Sequence, residues 1–125
     1  MNEKEKNTHR RKVWHKYRIP GQGPLMRRKI NAVFLNPTNS LEHEMAKCIQ
    51  CYFIQKQKKK FITEAEIHIE GKIYRRDIVV LDYPSEIIEI ETDPKRAERF
   101  KSDPQRDNII ILKLWEGKND RIKKL

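Results

Sequence analysis

Carboxylates interrupt two apolar segments that follow each other between residues 77 and 91. Asp77 opens the apolar run 78–81, and a second apolar run carries Glu89 and Glu91. Acids within apolar runs are costly to bury without a partner, and their oxygens are the ligands that Mg²⁺ or Mn²⁺ prefers. The two segments therefore predict a divalent-metal site on neighbouring strands.

The loop between the two runs decides whether these acids meet. A three-residue loop pairs Asp82 with Glu86. It then also pairs Asp77 with Glu91 and leaves Glu89 diagonal on the same face, at Cβ separations of about 5 Å and about 7 to 8 Å. A two-residue loop would instead turn both glutamates to the other face. We expect the three-residue loop; the alternative is that the acids lie on an exposed strand edge.

Basic residues follow the second acidic run. Asp93 as N-cap and Pro94 at the first position predict a short helix to about residue 102, with Lys95, Arg96 and Arg99 in its first turns. The positive end of a helix dipole disfavours cations, so their presence there indicates that an anion docks at this end, and a phosphodiester fits. The alternative is a solvated basic face.

Composition favours a polyanionic partner. The chain has 125 residues, enough for one domain, and a net charge of +10, which points to nucleic acid. No apolar run is long enough for a signal peptide or a membrane span, so we expect a cytoplasmic protein. Cys48 and Cys51 are spaced C-x-x-C without a second pair to complete a zinc site, and we interpret them as buried or idle thiols.

Positive charge is concentrated in residues 1–39, which hold ten Lys/Arg against two Glu. This segment lacks sustained periodicity and contains several Pro and Gly residues, so we predict an arm or loops, with the domain proper over 40–125. Trp14 and Tyr17 lie among the basic residues and could stack on bases or pack onto the domain. The residues predicted to contact DNA here are Arg10, Arg11, Lys12, Arg18, Arg27 and Arg28. The alternative is a solvated tail.

From residue 40 onward the hydrophobic pattern becomes regular. Ser40 is a candidate N-cap for an amphipathic helix. Its apolar stripe consists of Leu41, Met45, Cys48, Ile49 and Tyr52. The predicted elements are a helix over 41–58, strands over 61–69, 73–82 and 86–92, a helix over 94–102 and a strand over 108–114. Their order is α, β, β, β, α, β.

The first predicted strand alternates between polar and apolar residues. Thr63, Ala65 and Ile67 fall on one face, whereas Glu64 and Glu66 fall on the other. The next two strands are almost continuously apolar, which indicates that both faces of the sheet are covered.

Two segments resemble motifs of the PD-(D/E)XK nuclease superfamily, which includes many restriction enzymes and archaeal Holliday junction resolvases. They are RRDIVVLD at 75–82 and IIEIETDPK at 87–95. The preceding stretch, 41–67, is similar to replication-relaxation type proteins of plasmids and viruses. The resemblance covers about residues 40–115. It implies a restriction endonuclease-like αβββαβ core of the α/β class, with a central mixed sheet flanked by helices.

Carried over residue by residue, the resemblance assigns Asp77 to the motif aspartate and Glu89 to the acid of the following strand. Glu64 corresponds to the upstream acid, with Glu44 as a second candidate. Glu91 stands at the position that a lysine usually holds. The resemblance thus implies that Asp77, Glu89 and Glu64 hold Mg²⁺ or Mn²⁺.

Two departures from the motif bear on catalysis. Arg76 replaces a frequent proline, and Glu91 replaces the lysine that usually orients the attacking water. We expect Lys95 to swing back toward the site in place of that lysine. Glu91 would ligate a second ion or accept the proton of the water. His43 and His68 are set aside as ordinary surface histidines.

The function predicted from these residues is metal-dependent hydrolysis of phosphodiester bonds in DNA. Asp77, Glu89, Glu91 and Lys95 are the expected catalytic residues, and Lys95, Arg96 and Arg99 are expected to hold the phosphate. Two alternatives stay open. The first is a nuclease-like DNA-binding accessory protein of replication, conjugation or transcription whose acids are inert. The second is a junction resolvase that acts as a homodimer.

Overall fold

The protein has an α/β fold of four strands and three α-helices in the residues that a computed structural model describes, 1–20 and 29–116. The elements are α1 (Glu3–Trp14), α2 (Leu41–Lys56), β1 (Phe61–Ile69), β2 (Lys72–Val80), β3 (Ile87–Glu91), α3 (Pro94–Ala97) and β4 (Ile109–Lys113). Two 3₁₀ turns, Glu98–Ser102 and Arg106–Asn108, connect α3 to β4. None of the helices in these residues has the length and apolar character to cross a bilayer.

The strands form one mixed sheet in the order β1-β2-β3-β4. β1 and β3 both run antiparallel to β2, whereas β4 runs parallel to β3. A parallel neighbour requires a crossover connection, which α3 and the 3₁₀ turns supply. From residue 40 onward the predicted order α, β, β, β, α, β is therefore confirmed.

Helices cover both faces of the sheet. Alternate residues of β2 face opposite ways, so Ile78 and Val80 pack toward α2 while Val79 packs toward α1. The cluster under α2 contains Ala46, Cys51, Ile54, Phe61, Ile78, Val80, Ile88, Ile90 and Leu114. The cluster under α1 contains Val13, Trp14, Ile19, Ile62, Ala65, Val79, Leu81 and Ile87. The continuous apolar runs of the central strands follow from this double burial, as predicted.

The N-terminal residues are packed, and the prediction of an arm or loops is wrong for Glu3–Trp14. The Asn2 side chain accepts a hydrogen bond from the Glu5 N–H, and the Glu5 carboxylate accepts one from the Asn2 N–H, which forms a capping box. Val13 and Trp14 then enter the core at the other end of the helix. Helix α1 is therefore held by packing against the sheet, despite its dense positive charge.

Helix α2 turns its predicted apolar stripe toward solvent. Leu41, Met45 and Tyr52 are exposed, whereas His43 and Lys47 are buried. The period of the pattern predicts a helix correctly, but charged groups on the sheet draw the polar side of the N-terminal half inward. The C-terminal half packs conventionally through the cluster under α2. Cys51 is buried, and Cys48 is exposed.

The alternation predicted for β1 breaks at Glu64. This residue has a φ of 51°, a left-handed conformation that is uncommon outside glycine. Ile62 and Ala65 consequently share the cluster under α1 although they are three residues apart. Glu64 lies on the face opposite Ala65, as predicted, but this face is covered by α2 and the carboxylate is buried.

The outer edge of β1 is bonded to the segment that follows α1. Arg18 exchanges main-chain hydrogen bonds with Glu66, at 2.8 Å and 2.6 Å. Farther along the same edge, the Asn31 N–H donates to the Phe61 carbonyl at 2.8 Å, and the Asn31 side-chain oxygen accepts from the Phe61 N–H at 3.1 Å. The N-terminal segment thus covers this edge at two points.

Candidate active site

Asp77 and Glu89 meet where β2 and β3 stop pairing as regular strands. The ladder includes Ile78 opposite Ile88 and Val79 opposite Ile87, and the same register sets Glu89 opposite Asp77. The Asp77 N–H donates to Oε1 of Glu89 at 2.7 Å. The Ile90 N–H donates to Oδ2 of Asp77, also at 2.7 Å. Each carboxylate thus takes the place of a main-chain acceptor, and the two side chains converge between the strands.

The predicted pairing of Asp77 with Glu91 is wrong. The Val80 N–H donates to the Glu86 carbonyl, so the connection is the five-residue loop 81–85 instead of a three-residue loop. Each partner in β3 therefore shifts by two residues. Since side chains alternate with a period of two, the shift keeps Asp77 and Glu89 on one side and brings them into direct opposition.

Glu64 adds a third carboxylate beside Asp77 and Glu89, and these three acids form the acidic row of the site. The β1–β2 ladder pairs Thr63 with Ile78 and Ala65 with Arg76, so Glu64 stands opposite Asp77 on the side away from β3. Burial is the main reason that its pKa is raised, and the charge of Asp77 raises it further. The three acids expected to hold a metal ion therefore lie on adjacent strands.

His43 links this row to helix α2. Its Nε2 lies 3.3 Å from Oδ2 of Asp77, and its Nδ1 lies 2.7 Å from Oε2 of Glu44. Two carboxylates at the two ring nitrogens favour the positively charged imidazole, in which both nitrogens donate. Burial lowers the pKa of His43, but the hydrogen bonds and charges of Asp77 and Glu44 outweigh burial and raise it to about 8.

Lys47 supplies a second positive charge one helical turn later. It is completely buried, and its Nζ donates to Oε1 of Glu44 and to the Phe34 carbonyl, both at 2.7 Å. Oε1 of Glu64 lies 3.5 Å from the same nitrogen. Burial raises the pKa of Glu44, yet the N–H of Asn36 together with Lys47 and His43 holds it below its usual range. Helix α2 thus partly neutralises the acidic row.

The surroundings of Glu89 disfavour the charged form of its carboxylate. Burial, and then the charge of Asp77, raise the pKa of the Glu89 carboxyl above its usual range. Arg76 lies 3.8 Å from Oε2 of Glu89, but its guanidinium is bound by Asp103 through two hydrogen bonds of 2.7 Å. The positive charge nearest to Glu89 is therefore shared with another acid.

Glu91 lies at the start of α3 instead of beside Asp77. Its Oε2 accepts hydrogen bonds from the N–H groups of Thr92 and Asp93, at 2.8 Å and 3.2 Å. Its Oε1 lies 3.4 Å from Arg99. Glu91 thus fixes the turn from β3 into α3 and holds Arg99.

Of the three predicted phosphate-binding cations, Arg99 alone borders the acidic row. It lines a cleft of about 460 Å³ together with Asp77 and Glu89. Lys95 and Arg96 are exposed, and no hydrogen bond or ion pair joins their side chains to the acids among the described residues. Asp93 is the N-cap, as predicted, but α3 has only one turn, so an argument from a helix dipole does not apply.

The residues of the N-terminal segment that are predicted to contact DNA differ in their exposure to solvent. Arg10 is buried, and its Nε donates to Asp82 at 2.7 Å, so its prediction as a DNA contact is wrong. The guanidinium is needed there because Asp82 would otherwise be a partly buried charge without a cation. Arg11, Lys12 and Arg18 are exposed. Arg27 and Arg28 lie outside the described residues.

Comparisons with known proteins give no relative from which a role for this site could be taken. No protein-family model, curated protein or solved structure matches this chain. The resemblance to PD-(D/E)XK nucleases therefore stays a prediction from the motif residues of the sequence.

The donor set suits a hard divalent cation. Residues 1–20 and 29–116 contain no group of three or more His, Cys, Asp or Glu side chains arranged to hold a metal ion. Mg²⁺, however, is commonly held by one or two carboxylates together with waters and substrate phosphates. Asp77 and Glu89 meet that requirement, because one oxygen of each carboxylate accepts a main-chain hydrogen bond and no described donor is hydrogen-bonded to the other.

Two residues of the site were missed in the sequence. The sequence predicts an ordinary surface histidine at His43 and no role for Lys47. Both lie on the polar side of an amphipathic helix, which is normally the solvent side. The available signal was the spacing of His43, Glu44 and Lys47, which share one face of the helix.

Proposed function

We propose that this protein is a metal-dependent nuclease with a restriction endonuclease-like core that hydrolyses phosphodiester bonds in DNA. The observation that carries the proposal is the convergence of Asp77 and Glu89 between two diverging strands, each with one carboxylate oxygen fixed by a main-chain N–H. Placement by backbone hydrogen bonds pre-organises the two acids.

Each acid has a distinct part in this proposal. Asp77 and Glu89 would hold Mg²⁺ or Mn²⁺, with Glu64 as a further oxygen donor. The ion, when bound, would activate a water molecule and neutralise charge on the scissile phosphate. His43 fixes the orientation of Asp77 from α2, and Lys47 holds Glu64. All of these groups lie on strands or on α2, which favours a site that is positioned before substrate binds.

The rim of the cleft favours a phosphodiester. Lys72, Arg75 and Arg99 line it, and all three side chains are exposed. Arg99 is the best candidate for contact with the scissile phosphate, since Glu91 already holds its guanidinium beside the acids. It would take the part first expected of Lys95. The charge of +10 on the whole chain adds attraction that does not depend on base sequence.

One observation favours a second candidate function, that of a DNA-binding accessory protein with inert acids. His43 and Lys47 place two positive charges against the acidic row without any metal. A cluster that is partly neutralised by its own cations has less need of a metal ion. The two candidates differ in whether divalent metal is required.

Cleavage assays separate the candidates. The purified protein is incubated with Mg²⁺, Mn²⁺ or EDTA and with single-stranded, duplex and four-way-junction DNA and with RNA. The nuclease proposal expects cleavage that requires metal and falls by at least about 100-fold in Asp77→Asn, because asparagine keeps the acceptor for Ile90 but loses the charge. A preference for junction DNA would favour the resolvase alternative.

The matched control is Glu70→Gln, which removes an exposed carboxylate in the turn after β1. It should cleave like the unmodified protein. Cleavage that persists in EDTA, or that is equal in Asp77→Asn, would exclude the nuclease proposal. Metal-independent DNA binding without cleavage would instead support the accessory protein.

A further inference from the structure

The β1–β2 hairpin continues beyond the acidic row. Its ladder runs on from the pair of Ala65 and Arg76 as far as the turn at Glu70 and Gly71. Both turn residues have a positive φ, 51° and 77°, as a two-residue hairpin of type I′ requires. A turn of this kind fixes the register of its strands, so the hairpin holds its side chains in defined positions.

The face of the hairpin that adjoins the acids is exposed in the part of the chain that the structure describes. Ile73 and Arg75 line the same cleft as Asp77. His68 stands directly opposite Ile73 in the ladder; it is exposed, and Ile73 is 58 % exposed. Ile67, on the other face, is buried. Side chains directly opposite each other lie about 5 Å apart at Cβ, so His68 and Ile73 form one exposed patch beside the cleft.

Cations accompany this patch along the cleft. Arg75 lies between Ile73 and Asp77 on β2, and its side chain is 48 % exposed. One of its N–H groups donates to Glu66 at 2.7 Å. A guanidinium has five N–H groups, so Arg75 keeps donors for a phosphate. Arg99 also lines the cleft and is exposed.

An aromatic and aliphatic patch next to cations suits a single strand of DNA better than a duplex. The bases of a single strand have faces that can stack on an aromatic ring while cations hold the backbone. In a duplex the base faces are covered by their neighbours, and the grooves present base edges. The cations attract both forms, whereas His68 and Ile73 can contact the base faces of the single strand alone.

We propose that the patch of His68 and Ile73 receives an unpaired base, and that the preferred substrate is therefore single-stranded DNA. Arg75 would hold a phosphate of the same strand. The four residues from Ile73 to Asp77 span about 13 Å of strand, so the bound base lies within a few nucleotides of the bond to be cleaved. This inference rests on the proposed function, because it extends the substrate strand outward from the acids.

Fluorescence anisotropy in EDTA tests the patch without cleavage. The unmodified protein should bind a labelled oligothymidine strand at least about 10-fold more tightly than a duplex with the same number of phosphates. His68→Ala should weaken binding to the strand about 10-fold and leave binding to the duplex unchanged, whereas His68→Phe, which keeps a ring, should retain the preference.

Ile73→Ala should also weaken binding to the strand selectively. Its matched control is Ile110→Ala, since Ile110 is also exposed, at 47 %, but lies on the strand at the other edge of the sheet. The control should bind like the unmodified protein, and circular dichroism verifies that all variants are folded. Equal affinity for strand and duplex, or equal losses for both in His68→Ala, would overturn the proposal.

Cleavage with Mg²⁺ or Mn²⁺ separates this inference from the proposed function. The unmodified protein should cut the single strand faster than the duplex, and His68→Ala should raise KM for the strand with little change in kcat. Metal-dependent cleavage that does not depend on His68 would overturn the assignment of the patch alone. Strand binding that depends on His68, without metal-dependent cleavage, would exclude the nuclease and support the patch as a binding surface.

Discussion

Asp77 and Glu89 place two like charges side by side in a site where one of them is almost inaccessible to water. Their repulsion is tolerable because main-chain N–H groups and the cations of α2 compensate part of it. Such an arrangement costs stability, and sites that carry this cost are commonly functional. A bound cation would remove most of the repulsion.

Divalent metal should therefore stabilise the folded protein. A cation that binds only the native state adds about 2.7 kcal/mol to the free energy of unfolding at a hundred times its dissociation constant. We expect Mn²⁺ and Mg²⁺ to raise the melting temperature of the unmodified protein and of Glu70→Gln, but not of Asp77→Asn. Differential scanning calorimetry measures the shift. An equal rise in all three proteins would indicate binding elsewhere.

Asp103 should make stability depend on acidity. Burial raises its pKa, but the hydrogen bonds from Arg76 and Gln105 outweigh burial and hold it below its usual range. A depressed folded-state pKa stabilises the protein above the ordinary aspartate pKa of about 4, and the contribution is lost as the pH falls below it.

The test is Asp103→Asn, which leaves the buried charge of Arg76 without its carboxylate. We expect the free energy of unfolding to fall by about 3 kcal/mol at pH 7, and the difference from the unmodified protein to shrink below pH 4. Urea denaturation at several pH values measures both. A difference that is constant from pH 3 to pH 7 would contradict the assigned ion pair.

At the scale of residues, the sequence predicts those acids that interrupt apolar runs. Asp77 and Glu89 could be found because a charge in a buried strand is unusual. His43 and Lys47 could not, because a polar residue on an amphipathic helix looks solvent-exposed until the sheet beneath it is known. Register was the other source of error, since the loop 81–85 is two residues longer than the expected three-residue loop.

At the scale of elements, the orientation of α2 is the feature most easily tested. Met45 is exposed and Ala46 is buried in the cluster under this helix. We expect Met45→Lys to change the free energy of unfolding by less than about 0.5 kcal/mol and Ala46→Lys to lower it by about 3 kcal/mol or more. Thermal unfolding followed by circular dichroism measures both. The reverse ranking would mean that the stripe at Leu41 and Met45 faces the core.

The elements themselves were predictable to different degrees. β1 has the predicted bounds, because its alternation is clear in the sequence. α2 begins where its N-cap predicts and ends two residues earlier than predicted. Helix α1 was missed since its composition is that of a solvated tail, although Asn2 and Glu5 carry a capping box in the sequence. What stabilises it is docking, through Val13, Trp14 and the pair of Arg10 with Asp82, and a partner 72 residues away leaves no local pattern.

Neighbouring arginines of α1 should therefore act differently when the whole molecule binds DNA. Arg10 is engaged with Asp82, whereas Arg11 is exposed. If Arg11 contacts a phosphate, Arg11→Gln should weaken DNA binding and reduce the slope of log affinity against log salt by about 1. Arg10→Gln should lower the melting temperature and leave that slope unchanged. Fluorescence anisotropy titrations at several salt concentrations measure the slope, and identical slopes for both variants would argue against α1 as a DNA contact.

The two edges of the sheet differ, and the difference limits how far assembly can proceed. The β1 edge is occupied at two points by Arg18 and Asn31 of the same chain. If both edges were open, strand addition could continue from copy to copy and give a fibre. Strand addition at the β1 edge would first have to break the hydrogen bonds of Arg18 and Asn31. Among residues 1–20 and 29–116, only the edge of β4 away from β3 has no strand partner, so strand addition is limited to one edge of the sheet.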